Sequence, residues 1–304
     1  MSHRQPILVF GATGQQGGSV VTALLKAGRP VRAIVRDLGS PATMALRDAG
    51  AELVEGSYAD QASMQKAMQE VHGVFSVQPS SPGGTVTDEE EVRYGIAVAD
   101  LAVEAGVRHL VYSSGAAVGD KPTGVAHFDT KRRIEAHVRS LPLTWTIVRP
   151  ATFMEMLVMP GFGLDKDRFT FFVRPDQSMQ FIAVEDIGRI VAAVFADPKR
   201  FGGQTFEIAG DELTGHKLET LFTQAAGRPI TYARFSDDDL AANLFLSKLT
   251  NLLDEGPLAG HADIHALREL EPDLIQVSTW LTGSGREAFA KALGAKGHWA
   301  YNNA

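Results

Sequence analysis

A chain of 304 residues with 44% hydrophobic and 21% charged side chains has ordinary globular composition, enough for one large domain or a domain with a lobe. A formal net charge of −7 without any Lys/Arg-rich block argues against a nucleic-acid groove, and the absence of cysteine excludes disulfides, thiolate metal ligands and cysteine nucleophiles. No apolar run approaches the ~18 residues of a bilayer span, and "MSHRQP" leads into a short strand without a signal-peptide core, so the expectation is a cytoplasmic protein.

The first half of the chain alternates. Apolar runs at 6–10, 31–35, 51–55, 73–77 and 109–114 predict strands, with helical stretches at 15–28, 41–49, 60–70 and 87–106 between them. Ser40 before Pro41, Asp60, and Thr87 with Glu90 are helix-start signals, because a side-chain oxygen there accepts an otherwise orphaned first-turn N–H. A helix at 127–141 and a strand at 143–150 extend the series. Such a βαβα pattern predicts an α/β fold with a doubly wound parallel sheet.

After Pro150 the pattern loosens. "RFTFFV", "SMQFIAV" and "ITYARF" read as short strands, whereas "EDIGRIVAAVFAD" and "ELTGHKLETLFTQAAG" read as helices. The stretch 236–281 reads as mostly helical, interrupted at "DEGPLAG". There is no internal repeat and no Pro/Ser linker.

The loop "GATGQQG" puts Gly11, Gly14 and Gly17 between the first strand and the first helix. Each glycine has a job: Gly11 permits the tight turn, Gly14 lets backbone approach a pyrophosphate, and Gly17 allows close helix contact. Free N–H groups and the helix dipole then favour an anion. A bare steric turn is the alternative. The second strand ends "AIVRD": a basic residue there accommodates a 2′-phosphate, so Arg36 points to NADP(H), while Asp37 beside it would favour NAD and a merely solvated arginine would favour neither.

"GATGQQG", "VRAIVRD", "HLVYSS", "HFDTKRRIEAHVR", "TIVRPATFMEML" and "VEDIG", in that order, resemble the NmrA-like family of atypical short-chain dehydrogenase/reductase proteins. The resemblance covers roughly 5–235. It implies a Rossmann-type NADP(H)-binding domain over 1–150, with returning elements near 178–210. A smaller C-terminal α+β lobe, mostly helical, over 151–304 would form one wall of a cleft. By the same resemblance Thr13, Gln15, Gln16 and Gln78 would contact the cofactor, Lys131 the nicotinamide ribose, and Phe153 would line the nicotinamide end. Two departures stand out: "EGSYAD" has Ser57 where relatives often carry an aspartate near the adenine, and Met156 stands where an asparagine is common.

Ordinary short-chain dehydrogenases place a tyrosine and a lysine four residues later on one helix face, and the pair passes a proton during hydride transfer. Here His127 occupies the tyrosine position ahead of Lys131. His127 is then either an acid/base or a surface residue, and Lys131 either catalytic or a ribose contact. Tyr112 reads as core or cleft wall, and Ser113 and Ser114 as the family's catalytic serine position or as backbone partners. Phe153, Met154, Met156, Leu157, Met159 and Phe162 would floor a pocket or fill the core, and "TDEEE" (87–91) reads as a helix first turn. No metal-ligand spacing and no nucleophile elbow is present.

The missing tyrosine favours a redox-sensing regulator in which the dinucleotide alters the loops near 78–95 and 150–170 and thereby a protein partner. The alternative is an NADPH-dependent reductase of a quinone or small carbonyl compound. Either way the expected ligand is a dinucleotide, joined by a protein partner or a small apolar substrate, on a monomer or homodimer without direct nucleic-acid or membrane contact.

Overall fold

The structure, a computed structural model, describes residues 5–80 and 83–294. Its first half runs β1 (Ile7–Val9), α1 (Gln15–Lys26), β2 (Val31–Val35), α2 (Pro41–Asp48), β3 (Glu52–Glu55), α3 (Gln61–Ala67), β4 (Gly73–Ser76), α4 (Asp88–Glu104), β5 (His109–Ser113), α5 (Ala126–Ser140) and β6 (Thr144–Pro150). There follow β7 (Thr152–Phe153), β8 (Arg168–Phe171), β9 (Ser178–Ile182), α6 (Val184–Ala196), α7 (Pro198–Phe201), β10 (Gln204–Ile208), β11 (Asp211–Thr214), α8 (Gly215–Ala226) and β12 (Thr231–Arg234). The chain closes with α9 (Asp237–Ala242), α10 (Leu244–Asp254), α11 (Ile264–Leu270), α12 (Val277–Thr282) and α13 (Arg286–Gly294).

Seven strands form one sheet in the order β10-β6-β5-β4-β1-β2-β3. Ile7 registers with Val31 on one side and Gly73 on the other, and His109 with Thr144, all in parallel. The chain winds outward through β2 and β3, then returns to β4 on the other side of β1. That reversal is the topological switch point at which open α/β sheets bind ligands beyond the carboxyl ends of their strands.

Local chemistry explains the elements. β1, β4 and β5 are buried along their whole length, as strands covered on both faces must be. Ser40 caps α2, Asp60 caps α3, and Thr87 with Glu90 closes a capping box on α4. Leu8, Phe10, Val74, Leu110, Tyr112 and Ile147 pack under Val98, Ala102, Ile134 and Val138 of α4 and α5. Gly95 lets those two helices meet, since a Cβ there would lie 2.6 Å from Ile134. Alternate strand residues face α6, whose Phe195 ring approaches both Gly73 and His109. Gly188 brings α6 onto α1, where a Cβ would stand 2.3 Å from Ser19 Oγ.

The chain divides into two compact units, one of Met1–Gly115, Ala126–Arg149 and Val184–Phe206, the other of Ala116–Val125, Pro150–Ala183 and Glu207–Ala304. The second unit holds a three-stranded sheet, β11-β9-β7, and a two-stranded one, β12-β8. Its interior is aromatic: Phe162, Phe169, Phe171 and Phe222 are buried, with the Phe169 and Phe222 rings meeting edge-on at 4.7 Å. Met154 and Leu157 are fully buried too, while Phe153, Met156 and Met159 are half-buried.

The reading of "ELTGHKLETLFTQAAG" as one helix is corrected. Glu212–Thr214 belong to β11, antiparallel to β9, and Thr214 then caps α8 at Lys217 N. β7 and α7 are too short to carry a periodicity of their own. Among the described residues no helix is long and apolar enough to cross a membrane, and no group of three or more acidic or histidine side chains could hold a metal ion.

Candidate functional site at the switch point

The glycine turn follows β1. Gly11 adopts φ +64°, a left-handed conformation that glycine takes without strain. Gly17 faces back onto that turn: a Cβ there would sit 2.2 Å from the Gly11 carbonyl oxygen, so any side chain would push helix and turn apart. Gly14 is the residue that starts α1, and it offers no capping side chain, in contrast to Ser40, Asp60 and Thr87 at the neighbouring helices. The first-turn N–H groups of α1 are thus left for an outside acceptor. Thr13 and Gln15 are exposed beside them. Gln16 is half-buried, its Oε1 accepting a 2.6 Å hydrogen bond from the Ser113 hydroxyl at the end of β5.

Arg36 is exposed at the end of β2 and makes no hydrogen bond or ion pair among the described residues. Asp37 is occupied locally, its Oδ1 accepting from Gly39 N at 2.8 Å. That turn diverts the carboxylate which would otherwise suit a ribose hydroxyl. Ser57, half-buried after β3, donates its N–H to Ser63 Oγ at 3.2 Å.

Tyr58, beside it, escapes the sequence reading. Its hydroxyl donates to the Val77 carbonyl beneath Gly11, and its ring lies 5.4 Å from Phe10 and 5.5 Å from Tyr94. Burial pushes the phenol well above its ordinary pKa, with the Arg36 charge opposing, so it remains a neutral strut under the turn.

Two buried acceptor groups face this region without a partner among the described residues: Gln78 Oε1 and Ser114 Oγ. Gln78 Nε2 donates to Ser76 Oγ at 2.8 Å, so that side chain is held by one end only; at Ser114 it is the backbone N–H that is engaged, donating to Val148 O at 2.8 Å. Unsatisfied buried polar atoms in a folded protein call for a ligand or water. With the uncapped helix start and the glycine cradle, they fit a dinucleotide.

Lys131 lies on α5 with its stem over Gly115, where a Cβ would stand 3.8 Å from Lys131 Cδ. Its ammonium is 2.7 Å from Glu91 Oε1 and donates at 3.1 Å to the His127 carbonyl. Glu91, 1% exposed, is a site residue that reading the acidic run as a helix first turn passed over. A signal existed: Glu91, Gly95, Val98 and Ala102 make one inward stripe at helical spacing, and a carboxylate inside such a stripe needs a cation. Burial pulls the Lys131 pKa down while Glu91 works against it.

His127 Nδ1 is 2.7 Å from Ser80 Oγ after β4. Burial, and then the Lys131 charge, drive its pKa well below the usual histidine value. The ring is therefore neutral at pH 7, with one N–H retained. Tyr112 is core, fully buried in β5. Phe153 belongs to the second unit, registered with Ile182.

A family model described as the NmrA-like family matches residues 3–255. The NmrA-like family domain-containing oxidoreductase hkm9 of Aspergillus hancockii is 31% identical over 73% of this chain and 72% of its own. The (4-alkanoyl-5-oxo-2,5-dihydrofuran-3-yl)methyl phosphate reductase of Streptomyces griseus is 30% identical over 76% of this chain and 78% of its own. Among solved structures, that of NmrA, a negative transcriptional regulator, in complex with NADP is similar at a TM-score of 0.79, 21% identity and 95% coverage of this chain and 98% of that one. A second NmrA structure, with NAD, has a TM-score of 0.80 at 21% identity, covering 96% of this chain and 99% of that one. The resemblance carried by the glycine loop, "HFDTK" and "VEDIG" thus extends over most of the sequence: this chain belongs to the NmrA-like family.

Proposed function

We propose that this chain is an NADP(H)-dependent reductase of a quinone or small carbonyl compound. The carrying observation is the Lys131 ammonium: it is buried at the carboxyl end of β5, two of its N–H donors are used, and the third has no partner among the described residues. The N–H groups at the start of α1 would hold the pyrophosphate, Gln16 and Gln78 would contact the dinucleotide, and Arg36, with Asp37 diverted, would take the 2′-phosphate. The nicotinamide supplies the hydride when bound. Lys131 would orient the ribose or the substrate oxygen and, as the charged member of the α5 pair, would be the readier proton donor, with the neutral His127 ring beside it. The family relatives with oxidoreductase and reductase names, at about 30% identity, support this reading.

A regulatory role is the second reading, favoured by a different observation. Helix α5 grips the segment after β4 through Ser80–His127 and Glu91–Lys131, so a dinucleotide drawing on Lys131 would loosen that segment and could thereby report the redox state to a partner. Residues 81 and 82 within the segment lie outside the described residues.

Calorimetry with NADPH and NADH, followed by stopped-flow oxidation of bound NADPH against a panel of quinones and small carbonyls, tests the proposal. Tighter NADPH binding and fast oxidation by some member are expected. Binding without turnover across the panel, with a change in sedimentation or partner affinity, transfers the case to the regulator. No binding of either nucleotide overturns both.

A further inference from the structure

Burying an ammonium is unfavourable unless a counter-charge and hydrogen bonds replace water. Lys131 is 8% exposed and Glu91 1%, and they approach to 2.7 Å across the α4–α5 contact that Gly95 makes possible. The two groups come from helices whose spacing is set by packing, so the pair has little freedom to swing. The second acceptor, the His127 carbonyl, lies one turn earlier on the lysine's own helix. Three donors on one tetrahedral nitrogen, two of them fixed from different elements, leave the direction of the third determined.

We propose that Glu91 is the positioning residue of this site: with the His127 carbonyl it fixes two N–H donors of Lys131 and so presents the third, still charged, to the ligand. That the third donor meets a dinucleotide or its substrate rests on the reductase reading above. The fixing of the ammonium by Glu91 does not. The charge balance supports the assignment, because burial pulls the lysine toward its neutral form and Glu91 is the foremost group opposing it. The other acidic group acting on Lys131 is Asp88, in the first turn of α4. Glu135, one turn further along α5, is shared between Arg139 and Arg149 instead.

The test is a titration of the ligand-free protein in which the Lys131 Cε resonance is followed by carbon-13 NMR, assigned by its loss in K131R. Removing the charge but keeping the shape, as in E91Q, is expected to lower the proton affinity of Lys131 about tenfold. E91D, which restores the charge one methylene short, should recover part of that. A folded E91Q with an unmoved Lys131 titration overturns the proposal. Should E91Q fail to fold, an E91D titration indistinguishable from the wild type overturns it equally, because a displaced carboxylate cannot act from the same place. In turnover, E91Q is expected to lower kcat about tenfold and shift its pH profile to lower pH, with NADPH affinity changed less than about threefold. A wild type that binds no NADPH would sink the reductase reading, yet the NMR titration would still decide the role of Glu91.

Discussion

One turn of α5 separates two ionic clusters, each built on a buried carboxylate, that differ in how fully the charge is partnered. Glu135, fully buried, accepts from Arg149 Nε at 2.9 Å and Nη2 at 2.7 Å and from Arg139 at 2.6 Å. Both of its oxygens are matched, and Arg139 continues to Thr205. Lys131, at the same helix face four residues earlier, keeps one donor without a partner among the described residues. A saturated buried charge holds elements together; an incompletely saturated one is built to receive something. Each cluster is built on a helix α5 residue and a buried carboxylate, so the partners of the charge separate scaffold from site.

The most severe way to break this contrast is Glu135→Ala. It removes the carboxylate that Arg149 and Arg139 share, and we expect a loss of about 3 kcal/mol in urea unfolding. The folded fraction should keep its NADPH affinity; a loss of affinity with little loss of stability would reverse the assignment of the two clusters.

Next in size is an acid effect at the amino-terminal end of β5. His109 Nε2 is 2.8 Å from Thr146 Oγ1, which itself donates to the Phe201 carbonyl, so Nε2 carries the proton. Nδ1, the unprotonated nitrogen, is buried without a partner among the described residues, so a second proton there would go unaccepted. Burial, with a smaller contribution from His72, pushes the ring down to about 4. The unfolded chain therefore binds a proton here that the folded one refuses between about pH 6.5 and 4. Stability should fall across that window, by about 3 kcal/mol in all. Paired unfolding curves at pH 7 and pH 4 read this out, and His109→Gln should flatten the difference. An equal slope in both proteins would remove His109 as the cause.

Binding alone should respond to Arg36→Ala. NADPH affinity is expected to fall about tenfold to a hundredfold while NADH affinity and stability stay put, because the guanidinium makes no hydrogen bond or ion pair among the described residues. Equal losses for both nucleotides would mean that Arg36 does not read the 2′-phosphate. The smallest effect belongs to Arg133→Ala. Its ion pair with Glu89, at 2.7 Å, is exposed on both sides, and water and salt screen it. Urea unfolding should resolve no change, and a clear loss would show that surface clasps on α5 matter as much as buried ones.

These contrasts also mark where the chain is legible by eye. The strands from β1 to β6, the helices between them and the caps at Ser40, Asp60 and Thr87 follow from neighbours a few residues apart. The glycine turn was legible for the same reason, since Gly11 and Gly17 act within one turn of chain. Glu91 was harder to read, because its burial is decided by Gly95 meeting Ile134 some forty residues on, and its trace in the sequence is the helical stripe it shares with Gly95, Val98 and Ala102 rather than anything within "TDEEE". Tyr58 and the Ser113–Gln16 bond are hidden likewise: each joins segments that only the sheet order brings together. β11 was misassigned because three residues paired to a distant strand look locally like the approach to α8.

The Ser113–Gln16 bond also constrains the polarity of the loop. A carboxamide is ambivalent, able to give or to take, until something claims its oxygen. With that oxygen engaged by Ser113, Gln16 turns only hydrogens outward, as do the backbone amides beside it. The mouth of α1 thereby gains donors without spending a formal charge, which would let it favour an electron-rich guest while leaving the choice among anions to Arg36.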